Sequence, residues 1–227
     1  MSISFIKNIK EITQRNYKLQ VIFGLLFSFS FLSTGQTALS LKFSPINIHP
    51  FNEPNNHLFE NKIDANALFV VEPCVILGFE TFVYDDALSL RFMFGGYGDA
   101  VSHPALFLQA GLKYKIFQVY RSCLAVGVGA MFHGRERWGN IETSVPVKGW
   151  ATNGKWEYSI GVLGEIEYIL VLAERHDLLF SVMYGLEHKT FSASIGYRFW
   201  ISTNIRNPKK CGSCPFGGHS KGKKWHF

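Results

Sequence analysis

The sequence predicts an all-β fold, an eight-stranded antiparallel up-and-down transmembrane β-barrel with a filled interior and a flexible C-terminal tail. Three observations support this prediction. Segments of about ten residues alternate between apolar side chains and small or polar ones, which is the strand length and pattern of a membrane-spanning barrel. The links between these segments alternate between short and long, and the charges on the polar face are equal in number for each sign.

The alternation is clearest between Ala105 and Phe132. In its first half every second residue is apolar, and these residues are Leu106, Leu108, Ala110, Leu112, Tyr114 and Ile116. The residues between them are Gln109, Gly111, Lys113 and Lys115. Because the side chains of a strand point alternately to its two faces, one face is apolar and the other is small or charged. The aromatic content of 15% also suits a soluble β-sandwich, but the inner face of a sandwich should be apolar.

Eight segments fit this template. They are residues 39–48, 69–84, 88–97, 104–117, 122–134, 156–172, 178–186 and 191–201. Pro73 in the second segment indicates a bulge, because proline cannot donate a hydrogen bond to a neighbouring strand. The links 85–86, 118–121 and 174–177 are short, whereas the links 49–68 and 134–155 are long. Outer-membrane barrels have short periplasmic turns and longer outer loops, so we expect both termini in the periplasm and the long loops outside.

The face opposite the apolar one carries five residues of each charge sign. They are Lys42, Arg91, Lys113, Lys115 and Arg198, and Glu72, Glu80, Glu157, Glu165 and Glu167. Eight strands enclose only enough space for side chains, and an unpaired charge in a dry interior would be very costly. We therefore predict an interior ion-pair core without a pore. The alternative interpretation of the carboxylates is a catalytic pair.

The two ends of the chain differ from the body in composition. Residues 1–35 combine a basic start with an apolar run from Leu19 to Leu32, and Ser33 and Gly35 stand at the −3 and −1 positions of a signal peptidase site. We predict a signal peptide over 1–35, a barrel over 36–201 and a basic tail over 202–227. The alternative for the first segment is a membrane anchor, although about 14 apolar residues are few for a spanning helix. Of the net charge of +6, the first segment contributes +3 and the tail +6, so the body is mildly acidic and nucleic-acid binding is not expected.

Residues 37–201 resemble the small eight-stranded outer-membrane barrels of the OmpA/OmpX-like group. The closing segment Ile195-Gly196-Tyr197-Arg198-Phe199 is similar to the aromatic last strand that the assembly machinery reads in that group. The resemblance implies a location in the outer membrane of a bacterium and contact with outer-membrane lipid. It implies little about activity, because one fold serves many functions.

A weaker resemblance is to the outer-membrane lipid A deacylases, which share this architecture. Their signature before the last strand is His-x-Ser-Asn, and this chain has His188-Lys189-Thr190-Phe191 there. Thr190 could replace the nucleophilic serine, but Phe191 cannot make the hydrogen bonds of the asparagine, and no acid follows in the last segment to orient the base. The alternative interpretation is that this segment is a short loop with an exposed histidine and no catalytic role.

A second candidate catalytic cluster lies in the link between the third and fourth segments. Asp99, Ser102 and His103 occur together there, and His133 and Glu136 come at the end of the fifth segment. A serine, a histidine and an acid at one barrel mouth could form a hydrolytic triad. Loops are generally rich in these residue types, so the structural interpretation of the cluster is favoured. The chain contains no Gly-rich phosphate loop and no HExxH motif.

The tail contains a candidate metal or disulfide site. Cys211, Cys214 and His219 follow the spacing of the first three zinc-knuckle ligands, and His226 could provide the fourth. A disulfide between the two cysteines or a pair of free thiols are the alternatives. Cys74 and Cys123 both face inward, on strands that are not neighbours. They could bridge only across the lumen, or be buried single thiols.

These observations predict a non-enzymatic outer-membrane barrel that acts as a scaffold or accessory subunit of an envelope complex. Its basic tail, with six cations and no acid from residue 202 onward, would dock periplasmic protein partners. No resident cofactor is expected, apart from zinc at the tail. The alternative function is a lipid-modifying outer-membrane hydrolase.

Overall fold

The computed structural model describes residues 36–50, 54–84, 87–141, 143–145, 149–187 and 189–201. Two 3-10 turns in this part of the chain cover Asn56–Leu58 and Trp138–Asn140. Its nine strands are β1 (Thr37–Ile48), β2 (Phe69–Tyr84), β3 (Leu88–Gly98), β4 (Pro104–Val119), β5 (Ser122–Glu136), β6 (Ala151–Asn153), β7 (Trp156–Ala173), β8 (His176–Gly185) and β9 (Thr190–Trp200).

Eight of these strands close into an antiparallel barrel. Each pairs with the next along the chain, β5 pairs directly with β7, and β9 returns to pair with β1. The short strand β6 pairs with the first residues of β7 and extends the wall on the side of the long loops. Closure leaves no open sheet edge along the barrel wall, so its backbone groups can be paired without water, as a membrane interior requires. The predicted fold class is confirmed.

The predicted strand bounds agree with the observed ones to within a few residues. β2 covers the predicted range, and the β1–β2 register gains one residue on β2 between Val71 and Cys74, next to Pro73. In β4 the register shifts between Lys115 and Phe117, so the strict alternation is interrupted there, with Phe117 exposed and Ile116 half-buried. The alternation pattern could not locate this shift, because Ile116 and Phe117 are both apolar.

Apolar side chains cover the outside of the barrel. Large exposed members of this wall include Leu39, Leu41, Phe43, Val75, Leu77, Phe92, Phe94, Leu108, Leu112, Val128, Phe132, Ile160, Val162, Ile166, Phe180, Val182, Ile195 and Phe199. The inward positions of all the barrel strands except β5 carry a buried lysine, arginine, glutamate or aspartate. A protein dissolved in water has the opposite arrangement, so the wall is built to face lipid. Within the described ranges, no helix has the length and hydrophobicity that crossing a bilayer demands.

A charge placed on this wall tests its contact with lipid. Leu77 is 55% exposed near the middle of β2, between the outward residues Leu41 and Phe94. We expect Leu77→Arg to lower the free energy of unfolding in lipid vesicles by about 2–4 kcal/mol, since it places a cation in the bilayer core. Urea titration of the refolded barrel measures this change. Ile63→Arg is the control, because Ile63 is as exposed (59%) but lies in the loop before β2; an equal loss in both variants would contradict the lipid-facing assignment.

Candidate functional site

The lumen is filled by side chains in layers. One apolar cluster, called here the upper apolar layer, consists of Cys74, Ile76, Met93, Phe107, Met131, Leu163 and Met183, with Tyr97 packed against it. A second cluster consists of Cys123, Ala125, Ile169 and Leu179. Buried charged residues also occupy the lumen. On β2, β3, β4, β7 and β8 the upper-layer residue lies nearer the long loops than a set of buried charges, namely Glu80, Arg91, Lys113, Glu165, Glu167 and Asp177. The upper apolar layer therefore separates these charges from the loop-side mouth.

Eight buried charged residues form one continuous chain in which the sign alternates. In order they are Arg91, Glu165, Lys42, Glu167, Lys113, Glu80, Arg198 and Asp177. The nitrogen–oxygen distances include 2.6 Å for Lys42–Glu165 and for Lys113–Glu167, and 2.8 Å for Lys113–Glu80. We call this set the ion-pair chain. Because it has four residues of each sign, its net charge is zero.

Further hydrogen bonds stabilise the ion-pair chain. The Ser89 hydroxyl donates to Glu80 at 2.5 Å, and the Trp200 indole N–H donates to Asp177 at 2.7 Å. A buried ion costs several kcal/mol to desolvate, and only close partners with additional hydrogen bonds offset that cost. The arrangement meets this requirement at Glu80 and Asp177, two of the four carboxylates, so it is suited to fill the lumen.

Strand β5 makes room for the ion-pair chain. It is the only one of the eight barrel strands that contributes no member, and its inner face is small: Cys123, Ala125, Gly127 and Gly129. A Cβ atom at Gly127 would lie 2.8 Å from the Nη2 atom of Arg91. The glycines of β5 therefore let long side chains from the other strands extend across the lumen.

The ten residues predicted to form the interior core are distributed over three places. Seven of them belong to the ion-pair chain: Lys42, Glu80, Arg91, Lys113, Glu165, Glu167 and Arg198. Glu72 and Glu157 lie at the loop-side mouth, and half-buried Lys115 donates to Gln118 at 3.2 Å near the short turns. Sequence reasoning missed Asp177 by placing it in a link. The sequence pattern could have predicted that Asp177 faces the lumen, since Leu179 and Ser181 face inward and Asp177 continues the same alternation.

The loop-side mouth holds a second set of polar contacts. Glu72 accepts a hydrogen bond from Asn47, and its Oε2 lies 3.3 Å from Nε2 of His49. Arg135 pairs with Glu157 at 2.6 Å. Its guanidinium carbon also lies 3.7 Å and 4.0 Å from the ring centroids of Trp138 and Trp150, respectively. The Tyr97 hydroxyl and the His133 ring are hydrogen-bonded beside this set. Stacked rings and paired charges thus fill the mouth.

The candidate catalytic cluster at Asp99 makes structural contacts. Its carboxylate accepts hydrogen bonds from the backbone N–H of Val101 at 3.1 Å and of His103 at 2.8 Å, and from the Trp138 indole at 2.6 Å. Burial raises the pKa of Asp99 above its ordinary value of 3.8. The carboxylate fixes its own loop against Trp138, which packs in an apolar cap with Phe59, Ala67, Val70, Ala100 and Val101.

The other members of the proposed triad have different surroundings. The Ser102 hydroxyl accepts a hydrogen bond from the Asn61 amide at 3.0 Å. His133 stacks on Tyr97 and meets the edge of Trp150. Glu136, the last residue of β5, pairs in register with Trp156. In the described part of the chain, the hydrogen bonds of Asp99 reach His103 through its backbone and not its ring.

Several predicted site residues lie outside the described ranges. They are His188, Cys211, Cys214, His219 and His226. Thr190 begins β9 and is half-buried. Cys74 and Cys123 are both buried, and they belong to different clusters of the lumen.

Comparison with known proteins gives matches to solved structures alone. No family model matches the chain, and no curated protein is significantly similar to it. Neisserial surface protein A is 10% identical with a TM-score of 0.49, covering 72% of this chain and 96% of its own. The N-terminal barrel domain of Pseudomonas aeruginosa OprF is 14% identical with a TM-score of 0.45, covering 74% and 100%. Ail of Yersinia pestis is 7% identical with a TM-score of 0.45, covering 74% and 99%. The barrel assignment rests on this chain's own strand pairing and apolar wall.

Removing a central member of the ion-pair chain tests its contribution to stability. Glu167 contacts both Lys42 and Lys113, so Glu167→Gln leaves each lysine with one carboxylate fewer in a buried site. We expect the free energy of unfolding to fall by about 3–5 kcal/mol, measured by urea titration in vesicles. Glu174→Gln is the control, because Glu174 lies exposed in the turn between β7 and β8, and its effect should stay within about 0.5 kcal/mol. Equal midpoints for the two variants would refute this role of the ion-pair chain.

Proposed function

We propose that the chain is a non-enzymatic barrel of the bacterial outer membrane that acts as a scaffold or accessory subunit of an envelope complex. The observation that carries this proposal is the filled lumen. The ion-pair chain, the upper apolar layer and the mouth contacts occupy the interior with side chains that bind one another. A barrel of this kind offers a membrane anchor and two exposed ends rather than a route for solutes.

The interior argues against transport and against catalysis within the lumen. A cavity near the short turns, lined by residues including Ser89, Lys113 and Trp200, has a volume of about 20 Å³. That volume accommodates about one water molecule, which is far below the size of a substrate site. The four carboxylates of the ion-pair chain each contact a cation within the lumen. A general acid or base needs access to substrate, and these groups have none.

The outer membrane is the location that this architecture favours. A closed barrel with an apolar wall needs a bilayer, and residues 1–35 have the composition of an export signal. β1 begins and β9 ends on the side of the short turns. Short turns face the periplasm in outer-membrane barrels, so we infer that both ends of the barrel segment lie there and that the long loops lie outside.

The basic tail is the proposed contact with periplasmic partners. It follows Ile201, the last described residue, and Ile201 itself lies on the short-turn side. From residue 202 onward it has six cations and no acid, and it ends in Trp225, His226 and Phe227. Such a segment suits an acidic protein surface, because charge attraction speeds the encounter and the aromatic groups add contact area. Cys211, Cys214, His219 and His226 remain a proposed zinc or disulfide site within it.

Removal of the tail tests the docking role. We expect proteins that co-purify with the full chain in mild detergent to be lost when residues 206–227 are deleted, because the cations go with them. A matched variant, Cys211→Ser with Cys214→Ser, keeps every charge and separates a thiol or metal effect from an electrostatic one. The measurement is quantitative mass spectrometry of the purified complexes. An unchanged partner list after the deletion would refute docking through the tail.

Lipid hydrolysis is the rival function, and an activity assay separates the two. Thr190 begins β9 directly after the link that contains His188, as the resemblance to the deacylases requires. We expect the purified barrel to release no fatty acid from lipid A, and His188→Ala and His103→Ala to behave as the unmodified chain does. Fatty-acid release that disappears in either variant would overturn the non-enzymatic proposal.

A further inference from the structure

The sulfur atoms of the barrel are concentrated in the upper apolar layer. The chain has four methionines, and all of them except Met1 belong to this layer: Met93, Met131 and Met183. Cys74 is also a member. These four residues come from β3, β5, β8 and β2, respectively. Residues on strands around the whole barrel can form one cluster only by meeting near its axis.

The position of Met131 illustrates this convergence. It lies on β5, and its terminal methyl carbon is 4.0 Å from the place a Cβ atom would take at Gly185 on β8. β7 separates β5 from β8 in the barrel, so the Met131 side chain extends inside the barrel past β7 to the next strand. Gly185 and Met183 are two residues apart on the inner face of β8. The thioether of Met131 therefore reaches the strand that carries Met183.

We propose that the upper apolar layer is a site for a soft monovalent cation, Cu(I), bound by the Cys74 thiolate and by thioethers of Met93, Met131 and Met183. Thiolate and thioether ligands select Cu(I) over harder ions. As the Cu–S bond forms, the Cys74 thiol loses its proton to solvent, and the copper does not change oxidation state. One Cu(I) and one thiolate are together neutral, so the apolar surroundings do not oppose the bound form.

The rest of the barrel provides no comparable site for harder metals. The described residues contain no group of three or more His, Cys, Asp and Glu side chains arranged to hold a metal ion. Cys123 packs with Ala125, Ile169 and Leu179, in a cluster that contains no methionine. The lumen thus holds one thiol with thioether neighbours and one without, and the second is an internal control for the first.

The site lies directly below the loop-side mouth. Tyr97 packs against the upper apolar layer and is hydrogen-bonded to His133 at the mouth. The His133 ring therefore adjoins the sulfur-containing layer on its loop side, and imidazole and sulfur are both ligands for copper. The ion-pair chain lies on the other side of the layer.

Packing alone is the competing explanation for the cluster, and it makes a different prediction. Methionine fills irregular space in cores, and exchange with leucine conserves volume. If packing alone explains the cluster, Met131→Leu folds normally and no metal binds to any variant. If sulfur is the reason for it, Met131→Leu folds normally but binds Cu(I) more weakly.

A competition titration tests the proposal on the full chain. The background carries Cys211→Ser and Cys214→Ser, so the tail thiols cannot bind the metal. The barrel in detergent, without oxygen, is titrated with Cu(I) held by a chromogenic chelator. We expect about one Cu(I) per barrel, with X-ray absorption showing sulfur neighbours. Cys74→Ser should lower the affinity on the order of 100-fold and Met131→Leu about 10-fold, whereas Cys123→Ser should leave it unchanged.

Two outcomes overturn the proposal. One is a barrel that takes no Cu(I) from the chelator. The other is a Cys74→Ser variant, folded by circular dichroism, that binds as tightly as its parent. Should Cys74→Ser fail to fold, Met131→Leu and Met183→Leu decide, because leucine keeps the packing while it removes the ligand. Unaltered affinity in both leucine variants refutes the thioether contribution.

Discussion

The pairing of buried charges is the constraint on which the rest of this structure depends. Four cations and four carboxylates lie inside a narrow wall of β-strands, away from water. No one of them would be stable there alone, since an unpaired ion in a low-dielectric interior is very costly. Each must therefore extend to an opposite charge on another strand. That requirement determines which inward side chains are long and which are small, and it leaves β5 as the strand without a charged member.

The division of the lumen into layers follows from the same constraint. Charged groups need one another, whereas apolar groups exclude water from them and strengthen their attraction. The upper apolar layer separates the ion-pair chain from the polar mouth, where Arg135 is held between two indole rings. The cap above it is fixed by the Asp99 carboxylate. The barrel is thus closed at its loop side by three successive kinds of contact.

Much of the fold could be predicted from the sequence, because the alternation of side chains has an unambiguous period of two. The inward position of Lys42, Glu80 or Arg198 follows directly from that period. The sign balance indicated pairing, but it did not indicate which residues pair, since partners such as Lys42 and Glu165 are 123 residues apart. Those contacts depend on the stagger of the closed barrel, which no local pattern encodes.

Prediction from the sequence is least accurate at strand ends and in loops. Asp177 follows a short charged stretch, so the pattern assigns it to a link although it belongs to β8. The pattern does not predict β6, whose three residues are all exposed. The contacts of Asp99 with Trp138 join two loops that are 39 residues apart. Aspartate, serine and histidine in loops can have either a catalytic or a structural role. Only the contacts they make in the folded protein distinguish the two roles.

The wide sequence separation of the ion pairs has a consequence for how the barrel is made. Lys42 on β1 has both its carboxylates on β7, and Glu80 on β2 meets Arg198 only when β9 is present, 118 residues later. A partly assembled sheet would thus expose unpaired charges to the bilayer interior, where charged side chains are energetically costly. Such an intermediate would be unstable in the membrane. Insertion of this protein should consequently be all-or-none, because the last strand supplies the partners of charged residues on the first strands.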